Sequence, residues 1–286
     1  MTPDHVRQEN LPSGLYLVAT PIGSARDITL RGLDILASAD VLAAEDTRTL
    51  RRLLEIHGIA LGDRPLIAYH DHNGPQQRPR IMKLIEAGKS VAYASEAGTP
   101  LVADPGFGLV RDAIANGLSV SGAPGPVAAI AALTLSGLPT DRFAFAGFLP
   151  TAKGARKKAL EEVADFPGTL VFYESPKRCS AMIKESALVL GGDRDAAVCR
   201  ELTKRFEEVR RGTLADLAAD LDGVTLKGEV VVCIGRRVSA PVVDVDAALR
   251  AAMKTMSLKD AVRDVSATHD LPRRDVYQRA LSLEDE

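Results

Sequence analysis

An α/β protein of two domains, followed by a small helical module, is the fold class that this sequence predicts. Three observations carry it. Between residues 14 and 125 five short apolar runs alternate with amphipathic segments, the pattern of a mostly parallel sheet with covering helices. The alternation resumes less regularly between residues 126 and 238, and residues 239–286 hold helical periodicity without strand-like runs. Residues 1–13 stand ahead of the first run as an N-terminal extension.

The first strand is Leu15 to Ala19, and it ends in Thr20-Pro21-Ile22-Gly23, a tight turn that presents backbone amides above the sheet. Asp27 reads as the N-cap of a helix from Ile28 to Ala37, on which Leu30, Leu33 and Leu36 recur at helical spacing. No Gly-x-Gly-x-x-Gly follows the strand, so the dinucleotide fingerprint is absent. Val41 to Ala44 is the second strand; Glu45-Asp46-Thr47-Arg48 follows it and opens a helix stopped by Gly58. Asp46 there either caps the helix or serves chemistry.

A third strand, Pro65 to Tyr69, delivers His70-Asp71-His72-Asn73-Gly74, which is either an exposed turn or a polar loop able to hold or deprotonate a hydroxyl. A helix from about Pro75 to Ala87 leads to the fourth strand, Ser90 to Ala94. After it comes the stretch that organises the chain, SEAGTPLVADPG from Ser95 to Gly106, ahead of a helix from Phe107 to Asn116 closed by Gly117. Gly98, Pro100 and Pro105-Gly106 fix its turns, while Ser95, Glu96, Thr99 and Asp104 supply polar groups. A strand-to-helix loop this long, at the carboxyl end of a sheet, is where open α/β folds bind ligands. The fifth run, Leu118 to Val120, leads into Gly122-Ala123-Pro124-Gly125-Pro126, with Pro126 at a helix start.

In the second half Arg142 to Phe148 is a strand leading into a basic loop, and a helix follows to Ala164. Thr169 to Tyr173 ends in Glu174-Ser175-Pro176-Lys177-Arg178, and further strands fall at Ala196 to Arg200, about Phe206 to Arg211, and Glu229 to Ile234. Glu201-Leu202-Thr203-Lys204 and Lys227-Gly228-Glu229 are either cleft loops or edge-strand charge patterns. Val238 to Asp246 reads as a linker. Helices follow at Ala247 to Met256, at Leu258 to His269 with Ser257 as N-cap, and from Pro272 to Leu283, with a turn at Asp270-Leu271-Pro272. This helix-turn-helix-like module, bearing Arg273, Arg274 and Arg279, either touches nucleic acid or packs as a dimer or lid element.

A formal charge of −2 excludes a protein that binds nucleic acid through its overall charge, leaving local clusters to do so. Those clusters are Lys153, Arg156, Lys157 and Lys158; Arg48, Arg51 and Arg52; Lys204 and Arg205; and Arg210 and Arg211, each of which is equally a solvated face. Aromatic residues at 4% without tryptophan argue against a broad base-stacking platform. Cys179, Cys199 and Cys233 are an odd number at wide spacing, which fits buried thiols rather than disulfides; no spacing yields a tetrahedral metal set, and with only the pair His70-x-His72 left as candidate ligands no structural metal is expected. No apolar run is long enough to cross a membrane and no signal-peptide region opens the chain, so the cytoplasm is the expected compartment.

The ordered set TPIG, AAEDTR, SEAGTPLVADPG, APGPVAAIAAL, GLPTDRFAFAGFLP, FYESPKR, RELTK and KGEVVVCIG resembles the tetrapyrrole methylase superfamily of S-adenosylmethionine-dependent methyltransferases. Within it the match is to the 16S ribosomal RNA cytidine 2′-O-methyltransferase family, and it covers nearly all of the chain. Glu96 stands where that pattern has Asp, and Ser24-Ala25 where it has Asn-Leu. The resemblance implies a tetrapyrrole-methylase-like fold with a cofactor cleft between two domains, S-adenosylmethionine as cofactor, 16S rRNA or the assembled small ribosomal subunit as partner, and a homodimer. The residues it assigns to the cofactor are Pro21, Ile22 and Gly23; Ser95, Glu96, Ala97, Gly98, Thr99, Val102 and Asp104; Pro124, Gly125, Pro126, Ala128 and Ala129; and Tyr173, Leu202 and Gly228. Small side chains beside the glycine turn leave room for a flat adenosine. A ribose hydroxyl needs a base or an anion-stabilising cation, for which His70, Asp46 and Glu174, then Arg48 and Lys204, are the candidates. Two other readings stay open: a methylase of a corrin or porphyrin precursor, and a nonenzymatic RNA-binding protein.

Overall fold

Apolar runs with little alternation must be covered on both faces, and the first sheet meets that demand. In the computed structural model, which describes residues 3–237, 244–269 and 271–284, this sheet has five parallel strands in the order β3-β2-β4-β1-β5. They are β1 (Gly14–Val18), β2 (Val41–Ala44), β3 (Leu66–Ala68), β4 (Ser90–Ala94) and β5 (Val120–Ala123). Every residue of β2 and β4 is buried. Helices α1 (Leu30–Ser38) and α2 (Thr47–Ile56) cover one face, with Leu33, Leu36, Leu50 and Leu54 against Val18, Leu42 and Ala92. On the other, α3 (Gly74–Glu86) and α4 (Phe107–Ala115) set Ile81, Ile85 and Leu109 against Leu15, Val91 and Tyr93. Because all five strands run the same way, their carboxyl-end loops gather along one edge.

Two local expectations are corrected here. Asp27 closes a 3-10 turn, Ala25–Asp27, and the cap of α1 is Thr29, whose hydroxyl accepts the Gly32 N–H at 3.0 Å. The reason is Ile28, extended and buried in the first core, which holds the chain straight for one more step. Pro126 likewise precedes the helix α5 (Ala128–Ser136) by two residues, with Val127 as its N-cap. The segment ahead of β1 is packed: Val6 joins the first core, and the backbone of Arg7 and Glu9 donates to Asp34 and Ser38.

The second sheet has the order β6-β7-β10-β8-β9, parallel between β6 and β7 and antiparallel elsewhere. Its strands are β6 (Phe143–Phe148), β7 (Thr169–Glu174), β8 (Asp195–Arg200), β9 (Glu208–Thr213) and β10 (Val230–Ile234). Helix α5 crosses from the first sheet to lay Ala129, Ala132 and Leu133 on Val171, Ala197, Cys199 and Val231. The other face is covered by α6 (Lys153–Glu162), α7 (Pro176–Leu190) and α8 (Leu214–Asp220). Helices α7 and α8 go beyond the sequence reading, although Pro176 at the first turn and a Thr213–Asp216 capping box mark their starts. Cys179, Cys199 and Cys233 are buried free thiols.

The two halves of this unit interlock. Ile22 and Leu202 both enter the second core beside Ala129. A side chain on Gly23 would meet the Thr203 hydroxyl at 2.5 Å, and that hydroxyl accepts the Ser24 N–H at 3.0 Å.

Residues 238–286 form a separate compact unit. In it α9 (Val245–Ala252), α10 (Leu258–Thr268) and α11 (Arg273–Glu284) close around Leu249, Val262, Val265, Val276 and Ala280. Ser257 caps α10 as its sequence implies, accepting the Asp260 N–H. Of the expected linker, residues 238–243 lie outside the described residues, as does Asp270 of the expected turn. Among the described residues no helix is long and apolar enough to cross a membrane.

Candidate active site

The loops at the carboxyl edge of the first sheet are laced together by their backbones. Thr20 and Gly98 exchange both N–H···O bonds, at 2.9 and 3.0 Å, and the Thr20 hydroxyl donates to the Ser95 carbonyl. Thr99 ties the same loop to the next one by donating to the Pro126 carbonyl at 3.0 Å. Gly98 sits at φ +87°, which suits glycine, and Gly125 comes so close to β1 that a side chain would meet the Ala19 Cβ at 2.7 Å. Leu101 (φ 71°) and Ala103 (φ 63°) are held in the left-handed region without being glycine, a local strain of the kind concentrated in ligand loops.

These loops face β7, β10 and the start of α5 across a cavity of about 430 Å³, a size that suits a small cofactor. Ten of the residues expected to meet the cofactor line it: Ile22, Glu96, Ala97, Gly98, Thr99, Val102, Asp104, Ala128, Tyr173 and Gly228. Pro21, Gly23 and Ser95 instead line a second groove of about 410 Å³ with Arg48, Arg52 and Ile56, and Glu96 borders both. Pro124, Gly125, Pro126, Ala129 and Leu202, also expected to meet the cofactor, do not line the cavity: Pro124 is exposed, the Ala129 N–H donates to the Tyr173 hydroxyl at 3.1 Å, and Leu202 is buried beside Ala129.

Of the five residues expected to act in chemistry, only Glu174 lines the cavity. Its carboxylate accepts the Ser175 N–H at 2.7 Å and lies 3.0 Å from the Arg178 guanidinium. Asp46 caps α2 through the Arg48 N–H and receives the Arg48 side chain at 3.1 and 2.7 Å. The Arg48 side chain and N–H hold its carboxyl down at about 2. His70 stands at the end of β3, its N–H donating to Asn73, with Nδ1 buried and lacking a hydrogen bond. Lys204 is braced between Glu201 at 3.0 Å and Glu229 at 2.6 Å; burial pulls its ammonium down, but the two carboxylates more than offset that and hold it above the usual lysine range.

The cavity is anionic. Glu45, Glu96, Asp104, Glu174 and Glu229 line it, and among the described residues no Lys or Arg does. Loss of hydration, then the neighbouring Glu45, push Asp104 up to about 7, although the Ser95 hydroxyl pulls the other way. Burial likewise raises the Tyr173 phenol, whose ring packs edge-on against Phe145 and Phe148. Glu45 and Phe148 line the cavity without having been assigned a site role in the sequence, whereas Glu229 lines it from the stretch Lys227-Gly228-Glu229 that the sequence leaves open as a cleft loop. For Glu45 a signal existed: successive side chains at a strand end point to opposite sides, so when Asp46 turns away to cap α2, Glu45 faces in.

Residues 14–218 match the family model described as Tetrapyrrole (Corrin/Porphyrin) Methylases, and residues 239–284 match one described as RsmI C-terminal HTH domain. A ribosomal RNA small subunit methyltransferase I of Mesorhizobium japonicum is 46% identical over 279 residues, spanning 96% of this chain and 94% of that protein. One of the same name from Escherichia coli O157:H7 is 38% identical over 282 residues, spanning 97% and 98%. Among solved structures, uroporphyrin-III C-methyltransferase from Thermus thermophilus complexed with S-adenosyl homocysteine shares the fold at TM-score 0.55 and 22% identity, over 78% of this chain and 97% of that one. Diphthine synthase does so at TM-score 0.62 and 15% identity, over 79% and 91%. Fold and cleft thus define a protein of the tetrapyrrole-methylase type. The chain belongs to the ribosomal RNA small subunit methyltransferase I family within the tetrapyrrole (corrin/porphyrin) methylases.

Proposed function

We propose that this chain transfers the methyl group of S-adenosylmethionine to the 2′-hydroxyl of a cytidine in 16S ribosomal RNA. Its kinship to rRNA small subunit methyltransferases over 96% of its length carries the reading. The residues of the cavity fit the cofactor: backbone-rich loops with Gly98 and Gly228 permit close approach, and a wall with five carboxylates, of which only Glu174 and Glu229 are ion-paired among the described residues, suits a ligand of net positive charge. When bound, that cofactor supplies a methyl group already activated on a sulfonium, so the protein's work is placement and management of the hydroxyl proton.

In this reading Asp46 is too acidic to serve as the base and instead holds Arg48 at the groove, where the guanidinium stabilises negative charge developing on the sugar oxygen. His70 takes the proton, Glu174 lines the cofactor wall, and Lys204 braces the loop around Glu229. The polyanionic substrate meets Arg48 and Arg52 in the groove, outside the acidic cavity. The enzyme works in the cytoplasm as a homodimer, on free 16S rRNA or on the assembled small subunit. Self-association is supported by α5, whose outward Ile130 and Leu135 are exposed although the helix is apolar nearly all round.

Incubation with labelled cofactor and undermodified small subunits, naked rRNA or a tetrapyrrole acid tests the reading. Label is expected in RNA; label in pigment, or in nothing, overturns it. Asp46→Asn and His70→Ala are each expected to slow single-turnover methylation by roughly 100-fold with cofactor affinity unchanged. Wild-type rates in both would remove these two residues from the chemistry.

A further inference from the structure

Carboxylates on the two walls of the cavity are not equivalent. On the second-sheet side, Glu174 lies 3.0 Å from Arg178 and Glu229 lies 2.6 Å from Lys204, so each already has a cation. Even so, Glu174 Oε2 is fully buried and lacks a hydrogen bond. On the first-sheet side are Glu45, Glu96 and Asp104, and among the described residues no Lys or Arg forms an ion pair with any of them. Arg48 acts on Glu96 only over a longer distance and is itself committed to Asp46. The Glu45 carboxylate accepts the Glu96 N–H at 3.2 Å. Three like charges without a counter-cation, facing a partly enclosed space, are unfavourable until a cation enters. That cation is not a metal ion, since among the described residues no three acids, histidines or cysteines are grouped to hold one.

We infer that Glu45, Glu96 and Asp104 form a charge filter that binds the cationic methyl donor in preference to the neutral thioether left after transfer. The inference rests on the methyl-transfer reading. Methyl transfer leaves the carbon–sulfur electron pair on sulfur while the sugar oxygen forms the new bond and gives its proton to the base. The ligand therefore ends the reaction one positive charge poorer, and the three carboxylates are again uncompensated. Glu45 is the residue this assigns anew: it sets the charge of the wall through Asp104 and Glu96 and acts on the donor electrostatically.

The filter also titrates. The groups that face Asp104 are Glu45 from the end of β2, Ser95 and Glu96 from the end of β4, and the neutral phenols of Tyr93 and Tyr173. With its carboxyl pushed up to about 7, chiefly by loss of hydration and then by Glu45, Asp104 is part protonated at neutral pH. A cation beside it favours the ionised form, so donor binding releases a proton there. Donor affinity accordingly rises with pH through about 7 and levels off above it.

Calorimetry with S-adenosylmethionine and with S-adenosylhomocysteine, in buffers of different ionisation enthalpy, tests this without any RNA. For the wild type the donor is expected to bind about tenfold tighter at high than at low pH across this range, with proton release near neutrality, while the affinity of the thioether stays flat. Glu45→Gln is expected to reduce the ratio of donor to thioether affinity about fivefold to tenfold. Unchanged thioether affinity in the variant reports an intact fold. Asp104→Asn is expected to abolish the proton release. A ratio in Glu45→Gln equal to that of the wild type, or a pH-independent donor affinity, overturns the filter while leaving methyl transfer standing. Failure of the wild type to bind either ligand removes the reading beneath it as well.

Discussion

Gly23→Val is expected to lower kcat/KM on the order of 100-fold and to destabilise the protein by about 2–3 kcal/mol. The cause is local and steric. A Cβ at this position would stand 2.5 Å from the Thr203 hydroxyl, 2.6 Å from the Lys204 Cγ and 3.0 Å from the Leu202 carbonyl. Of these, the Lys204 side chain can swing aside only by giving up Glu229, and the Leu202 carbonyl is backbone. The turn and the Glu201–Lys204 segment must therefore separate, withdrawing Ile22 from the second core and breaking the Ser24–Thr203 hydrogen bond. Denaturant unfolding and single-turnover kinetics measure the two effects. Gly23→Ala combined with Thr203→Ala is expected to recover part of the Gly23→Ala loss, because one of the three obstacles is gone. Strict additivity in that double-mutant cycle would show that the two residues do not meet.

The same interlock explains what the sequence reveals and what it hides. The first sheet was legible because its parallel strands are unbroken apolar runs, and its ligand loops because glycine, proline and acids cluster where those runs stop. The facing of individual side chains was not. Within Thr20-Pro21-Ile22-Gly23, Ile22 turns into the cavity while Pro21 and Gly23 line the groove beyond it. At the next strand end Glu45 faces in and Asp46 turns back to cap a helix. Such alternation depends on where each turn begins, and a shift of one residue reverses it. Pairing across distance was also hidden: Lys204 reads as a free cation until Glu229, 25 residues on, is folded against it.

Charge separation is the property that makes the site intelligible. A cationic cofactor and a polyanionic substrate must come within bonding distance, yet a surface that attracts one repels the other. Here the acids face the cavity, the arginines face the groove, and the partition between them is built from the Thr20–Gly98 bridge with Glu96 on the border. Each compartment matches one ligand in sign, and the shared border is where the reacting atoms would meet.

Not every cation in a basic stretch is available to a substrate, and Arg156 gives the second large effect. In the sequence it belongs to the cluster Lys153, Arg156, Lys157 and Lys158, but its guanidinium is inserted between α6 and α7 and ion-paired to Glu185, the two side chains being 11% and 9% exposed. Glu185→Ala is expected to destabilise the protein by about 3–5 kcal/mol, since it leaves a buried charge without its partner. At about 2–4 °C per kcal/mol for a chain of this size, the melting temperature falls by roughly 10 °C. Lys157→Ala, which removes an exposed pair with Glu161 one helical turn away, is expected to cost less than about 0.5 kcal/mol. Replacing both buried partners, as Arg156→Met with Glu185→Leu, is expected to restore most of the loss, because the penalty lies in the unpaired charge rather than in the missing pair. If Glu185→Ala melts with the wild type, Arg156 reaches solvent without cost and rejoins the surface cations; otherwise the electrostatic attraction of this region for RNA resides in Lys153, Lys157 and Lys158 alone.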